Sequence, residues 1–246
     1  MKRIIILLAF ALFGCAAVAA GNSWTLTSNA VMTENAASGT PWILAVEIKN
    51  STEIWIKKVT QVGDSTALDF SGAIEGADGK YLHSIDGFSG KETLVSVKLP
   101  DCLKRLEAKA FRKCSAMTTV TPLLPASLEF LGYRAFSRCS SLEGDVVFPA
   151  TLSSTEAGWT GDPTGNGCFY GTRITSCDMS QSTIAIPGRC FGDCKQLKWV
   201  KLPQGVKEIP EFSFAGAVSL TDVTPFLPAT VNKIGQRAFQ KCASLR

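Results

Sequence analysis

Seven phenylalanines between Ser84 and Arg246 sit in one recurring setting. Four copies are close to one another: Ala110-Phe111-Arg112-Lys113-Cys114, Ala135-Phe136-Ser137-Arg138-Cys139, Cys190-Phe191-Gly192-Asp193-Cys194 and Ala238-Phe239-Gln240-Lys241-Cys242. Phe88, Phe169 and Phe214 carry weaker versions, and successive rings are 22 to 33 residues apart. A period in the twenties constrains the fold more than any other property of the chain. It marks a solenoid whose repeats are single coils, each unable to bury its own apolar face until a neighbour stacks on it.

The ends and the composition bound the rest. Met1-Lys2-Arg3, the apolar run Ile4 to Phe13 and the small residues Ala16-Ala17-Val18-Ala19-Ala20 read as a secretory signal over residues 1–20. Two processing routes fit: cleavage near Ala20, or lipidation of Cys15, since Leu12-Phe13-Gly14-Cys15 looks like a bacterial lipobox. No other apolar run is long enough to span a bilayer, so the mature chain is expected to lack a transmembrane segment and to be secreted or held at a bacterial cell surface. The formal charge is +4, or +2 once Lys2 and Arg3 are removed. With the signs interspersed along the sequence, that balance offers no electrostatic reason to bind nucleic acid or an anionic membrane.

Residues 21–80 do not follow the repeat. Trp42–Ile48, Glu53–Val59 and Ala67–Phe70 read as short strands, and the region is expected to be a β-rich cap for the open end of the first coil. Residues 81–246 hold about seven coils. A representative coil opens Leu94-Val95-Ser96-Val97-Lys98-Leu99-Pro100, a short strand whose last positions alternate inward and outward before proline ends it. Leu103 and Leu106 turn the chain. Phe111 and Cys114, three apart, have the spacing of one helical turn.

These residues resemble the BspA-like leucine-rich repeat family, as in Leu128-x-x-Leu131-Gly132-x-x-Ala135-Phe136-x-x-Cys139-x-x-Leu142 and Ile234-Gly235-x-x-Ala238-Phe239-x-x-Cys242-x-x-Leu245. The resemblance implies an α/β solenoid: a right-handed superhelix with a parallel concave sheet and short helical turns outside. It also implies an exported surface protein that binds other proteins or cells. Two features depart from the simple repeat. Val120-Thr121-Pro122 and Val223-Thr224-Pro225 each open a proline-bounded bulge, and a Gly-rich insertion from Ser153 to Gly167 includes Trp159 and Asp162. Insertions of this kind go to loops, often on a binding face. The last coil ends at Leu245-Arg246 with no polar segment to cover it, as expected of a fragment of a longer chain.

Residues that would carry chemistry are sparse. His83 is the sole histidine, so Ser-His-Asp or Cys-His catalysis would have to run through it, and no signature surrounds it. Nine cysteines invite zinc, but the closest pair, Cys190 and Cys194, has no second pair to complete four ligands. Cys114, Cys139, Cys194 and Cys242 share a repeat position taken by Thr172 and Ala217 elsewhere, which asks for packing volume rather than sulfur chemistry. Disulfides suit an exported compartment, but Cys114 and Cys139, equivalent on consecutive coils, would have to bridge coils that splay apart on the outer side. Asp162 is the lone carboxylate of Gly161-Asp162-Pro163-Thr164-Gly165-Asn166-Gly167, too few for calcium. No catalytic residue, metal or cofactor is assigned.

Outward strand positions remain: Ser96 and Lys98, Thr119 and Thr121, Asp145 and Val147, Trp199 and Lys201, Asp222 and Thr224. They are expected to form a continuous concave strip for a ligand, with Trp199 as its aromatic anchor. The sequence thus points to an exported, non-catalytic recognition or adhesion surface for an extracellular protein or a cell-surface glycoconjugate. Alternatives from other classes are a spacer displaying a further domain and a β-helix enzyme acting on polysaccharide.

Overall fold

Strand-forming residues recur twice in most coils, and the fold pairs each with its counterpart one coil on. The computed structural model describes residues 23–155, 167–224 and 229–246, with Thr224 described through its backbone alone. Cys15, Trp159 and Asp162 lie outside the described residues. The N-terminal part holds β1 (Trp24–Leu26), β2 (Val31–Glu34), β3 (Ile43–Ile48), β4 (Glu53–Gln61), β5 (Ala67–Asp69) and β6 (Ile74–Glu75). Next come β7 (Tyr81–Ile85), β8 (Ser96–Lys98), β9 (Arg105–Leu106), β10 (Thr119–Thr121), β11 (Phe130–Leu131) and β12 (Glu143–Val147). The series ends with β13 (Ser154–Thr155), β14 (Arg173–Asp178), β15 (Trp199–Lys201), β16 (Glu208–Ile209), β17 (Asp222–Thr224) and β18 (Lys233–Ile234).

Two parallel faces result. On the first, β5, β8 and β10 form a three-stranded sheet, and β12, β14, β15 and β17 form a four-stranded one. On the second, β4, β7, β9, β11 and β13 run parallel, followed by the pair β16 and β18. The antiparallel strands β1 to β4 belong to the same nine-stranded sheet as β7, β9, β11 and β13, so parallel pairing crosses residue 80 on both faces, through β4 on β7 and β5 on β8.

Between the faces and the outer turns runs one core. Phe88, Phe111, Phe136, Phe169, Phe191, Phe214 and Phe239 stack in order, with ring centroids 5.3–5.9 Å apart and planes within 22° of parallel. Phe70 and Trp42 extend the column beyond Phe88, and Trp24 stacks on Phe70 at 4.9 Å. Aromatic pairs at such distances contribute about 0.5–1.5 kcal/mol beyond the area they bury.

The expected helical turns are absent: no helix occurs among the described residues. The backbone hydrogen bonds explain why. Ala110, Arg112 and Cys114 close short turns onto Glu107, Lys109 and Phe111, while the N–H groups between them leave the coil. Lys109 donates to Tyr133 O, Phe111 to Ala135 O and Lys113 to Ser137 O, at 2.8, 2.8 and 2.9 Å. A helix would keep those donors for itself. Lys109 and Lys113 also have φ of 63° and 61°, which breaks the run twice. Phe111 and Cys114 still share the buried face, because a three-residue turn returns to one side much as a helical turn does.

Close approach of the coils dictates the glycine of the repeat. A Cβ on Gly132 would lie 2.3 Å from Ala108 N, and one on Gly235 2.4 Å from Glu211 N. The shared cysteine has a similar role between coils. Cys114, Cys139, Cys194 and Cys242 Sγ donate to the carbonyls of Phe88, Phe111, Phe169 and Phe214, at 3.1, 2.9, 3.1 and 3.1 Å. All eight described cysteines are free thiols. Burial pushes the Cys194 thiol up to about 12, far from the thiolate that would react or bind metal.

Phe136→Ala is expected to cost about 3–5 kcal/mol, as for a buried aromatic in a packed core. Phe239→Ala, at the last and partly exposed ring, should cost less, and urea midpoints measure both. Cys139→Ala should lose about 1 kcal/mol as the Phe111 carbonyl loses one of its two donors and keeps the Cys114 N–H, a tolerable loss given that Ala217 holds this position natively.

Candidate ligand-binding faces

Strand register places the outward side chains of the first face in rows. On the three-stranded sheet, Ala67, Ser96 and Thr119 align, as do Asp69, Lys98 and Thr121. On the four-stranded sheet, Asp145, Ser176, Trp199 and Asp222 form one row, and Val147, Asp178 and Lys201 the other, with Thr224 paired to Lys201 through the backbone. Leu68, Val97 and Val120, then Val146, Cys177, Val200 and Val223, point inward and are buried. Lys98, Thr119, Thr121, Asp145, Val147, Trp199, Lys201 and Asp222 are exposed, and Ser96 is half-buried.

The strip is divided rather than continuous. β10 and β12 are not strand partners, and Glu143 N–H to Thr118 O, at 3.1 Å, is a backbone bond that crosses the gap. Pro122 follows β10 through a cis peptide and has no N–H for a ladder, while the register shifts between Gly144 and Asp145 on the far side. Each sheet therefore presents its own patch.

On both patches the charged residues are held by neighbours. Lys98 pairs with Asp69 at 3.4 Å and Lys201 with Asp178 at 3.6 Å. Ser176 and Thr175 hydroxyls donate to Asp145 and hold its carboxyl below the usual range. Burial raises the Asp178 carboxyl, but hydrogen bonds at Ser180 and the nearby Lys201 ammonium outweigh it and leave it lowered. Two large apolar side chains stand out from this polar setting: Trp199 is 41% exposed and Val147 57%.

Two members of these rows do not emerge from the sequence: Ser176, buried beneath the Asp145 carboxylate, and half-buried Asp178. Their strand, Ile174-Thr175-Ser176-Cys177-Asp178-Met179, keeps the apolar-x-x-apolar-x-apolar order, with Cys177 and Met179 standing where other coils have Val and Leu. Reading Cys and Met as ordinary core residues would have found it.

The second face has an aromatic and cationic cluster around the single histidine. The Trp55 ring stacks on His83 at 5.2 Å, with Lys49, Lys57 and Arg105 over it at 5.1, 5.7 and 5.5 Å. Arg105 also lies 4.0 Å from the Phe130 ring centroid and pairs with Glu107 at 2.7 Å. These rings are engaged by their own neighbours, so the cluster reads as a packed surface rather than an open platform. Burial lowers the His83 pKa against the opposing pull of Glu53, whose carboxylate is 3.8 Å from Nδ1. Among the described residues, no three His, Cys, Asp or Glu side chains gather as metal ligands would, and no helix is long and apolar enough to cross a membrane.

The model of the BspA type leucine-rich repeat region matches residues 84–158 and 163–246, in six copies. The chain belongs to that family. A leucine-rich repeat protein from Bacteroides ovatus ATCC 8483 is similar in structure, with TM-score 0.52 and 27% identity over 79% of this chain and 47% of that one. This BspA-type chain thus spans less than half of that relative. The T. pallidum leucine-rich repeat protein has the same fold, with TM-score 0.55 and 23% identity over 82% of this chain and 88% of that one. Curated proteins return no match.

His83 sets a pH dependence. In the unfolded BspA-type chain it takes a proton near its ordinary pKa of about 6.5, while the folded site resists protonation until lower pH. The unfolded state then binds more protons, so stability falls as pH drops through that window. His83→Gln should flatten the loss between about pH 7 and 5, as read from urea midpoints.

Proposed function

We propose that this BspA-type protein is an exported recognition or adhesion surface without catalysis, binding an extracellular protein or cell-surface glycoconjugate through the outward face of its four-stranded sheet. The observation that carries the reading is the exposure of Trp199 and Val147 on one face among side chains already locked by ion pairs and hydrogen bonds. Such a patch loses little conformational freedom on binding, and exposed tryptophan is the residue type most often found to dominate an interface. Export rests on the leader-like residues 1–20, with Cys15 as a second route to the surface. Residues 21–80 are assigned as the cap of coils 81–246: Trp24, Trp42 and Phe70 cover the end of the phenylalanine column that Phe88 would otherwise expose. In the same reading the Gly-rich insertion, with Trp159 and Asp162, adds a loop to the binding region.

Binding of the purified protein to immobilised matrix glycoproteins, intact and deglycosylated, tests the assignment and separates protein from glycan recognition. Trp199→Ala is expected to weaken capture about tenfold or more with an unchanged urea midpoint. Equal capture by the variant overturns the role of this face.

A further inference from the structure

The outer turns carry positive charge where backbone conformation argues for other residues. Nine non-glycine residues of the coils have φ between 53° and 63°, and seven are basic: Lys109, Lys113, Arg134, Arg138, Arg189, Arg237 and Lys241. When conformation alone decides, such positions go to Gly, Asn or Asp. Gly90, Gly171 and Gly216 do fill the position two residues after the ring in three other coils. Lysine and arginine in the remaining places relieve no strain, so a property of the side chain selects them.

Stacking turns these residues into two files along the molecule. Lys109, Arg134, Arg189 and Arg237 stand two residues before their rings, and Lys113, Arg138 and Lys241 two residues after. The rings beneath repeat every 5.3–5.9 Å, which sets the step from coil to coil. The near-neutral total conceals this segregation. Five cations on or beside the strands are matched by acids: Lys98–Asp69, Lys104–Glu129, Arg105–Glu107, Lys201–Asp178 and Lys233–Glu208. Among the described residues Lys109, Lys113, Arg138, Arg237 and Lys241 have no ion pair. Arg189 pairs with Glu211 at 3.4 Å and lies 4.3 Å from the Phe212 ring centroid, and Arg134 lies 4.7 Å from that of Tyr133. A depression of about 350 Å³ opens between Arg138, Arg189 and Lys241. Two acids interrupt the files: Asp86 stands two residues before Phe88, and Asp193, two residues after Phe191, accepts from the Tyr170 hydroxyl in this depression.

We propose that the outer turns bind a linear anionic polysaccharide, whose sulfate or carboxylate groups lie along the two basic files. Guanidinium groups steadied by stacking are suited to such anions, which they grip through paired N–H donors. Single-stranded nucleic acid fits less well, because guanidinium groups already cover the Tyr133 and Phe212 rings on which bases would stack. A membrane surface fits less well too: the exposed large apolar side chains, Ile48, Val62, Val95, Val147, Trp199, Val218 and Ile234, lie outside the files, leaving nothing to insert. This surface is separate from the strand face that carries Trp199, so the two readings stand or fall independently.

Heparin serves as the probe, with neutral dextran as control and affinity measured by calorimetry across a salt series. Wild-type protein should bind heparin and not dextran, more weakly as salt rises. Lys113→Asn, Arg138→Asn and Lys241→Asn together remove one file, and asparagine accepts the backbone conformation, so the urea midpoint should hold. Affinity for heparin should fall at least tenfold with a shallower salt dependence, while Trp199→Ala leaves it unchanged. Equal heparin binding by the triple variant, equal binding of dextran, or tighter binding of single-stranded DNA or phosphatidylserine vesicles than of heparin each overturns the proposal.

Discussion

Everything in this molecule depends on the exchange of backbone hydrogen bonds between the outer turns of consecutive coils. Phe111 N–H reaches Ala135 O, Phe136 N–H reaches Cys168 O, and Phe214 N–H reaches Ala238 O, at 2.8–2.9 Å. One coil alone leaves those donors and carbonyls unpaired, a cost of about 1–3 kcal/mol for each buried group. Stacking satisfies them and, in the same step, brings each phenyl ring onto the next. The ring column, the inter-coil thiol bonds and the two parallel faces are consequences of that single approach distance.

The same approach restricts what the outer turn can be. Coils close enough to share hydrogen bonds leave no room for a Cβ at Gly132 or Gly235. Turning the chain back after each bond then requires left-handed residues beside the ring. An L-residue there costs about 1–2 kcal/mol, yet Lys113, Arg138 and Lys241 accept it where Gly90, Gly171 and Gly216 do not have to. Chain geometry fixes where the strained positions fall, and the side chains placed on them are free to serve the surface.

Much of this was legible in the chain because repetition multiplies weak signals. The spacing of Phe and Cys gave the number of coils, and the alternation Val97-Lys98-Leu99 placed Lys98 outward and its neighbours inward. The strands expected over Trp42–Ile48 and Glu53–Val59 from their β-branched runs are found at Ile43–Ile48 and Glu53–Gln61. What escaped has physical causes. Phe111 and Cys114 three apart suit a helix and a three-residue turn equally, and the choice is made by Ala135 in another coil. Ser176 and Asp178 were hidden by a core written in Cys and Met. The division between β10 and β12 depends on a register shift at Gly144 that no local pattern announces. Left-handed lysines and arginines are equally silent, since nothing in a basic residue signals positive φ.

Charge shows most clearly how a total differs from a distribution. A formal +4 over 246 residues looks close to balance when counted along the sequence. The coil folds that line so that residues about one period apart become neighbours, and like charges at one repeat position become a file. Acids fall where strands pair them across neighbouring coils, Asp69 with Lys98 and Asp178 with Lys201. Among the described residues Lys113 and Arg138, two residues past their rings, have no such partner. In a solenoid the repeat period, more than the overall balance, decides which charges meet, so the field of such a protein has to be read position by position within the repeat.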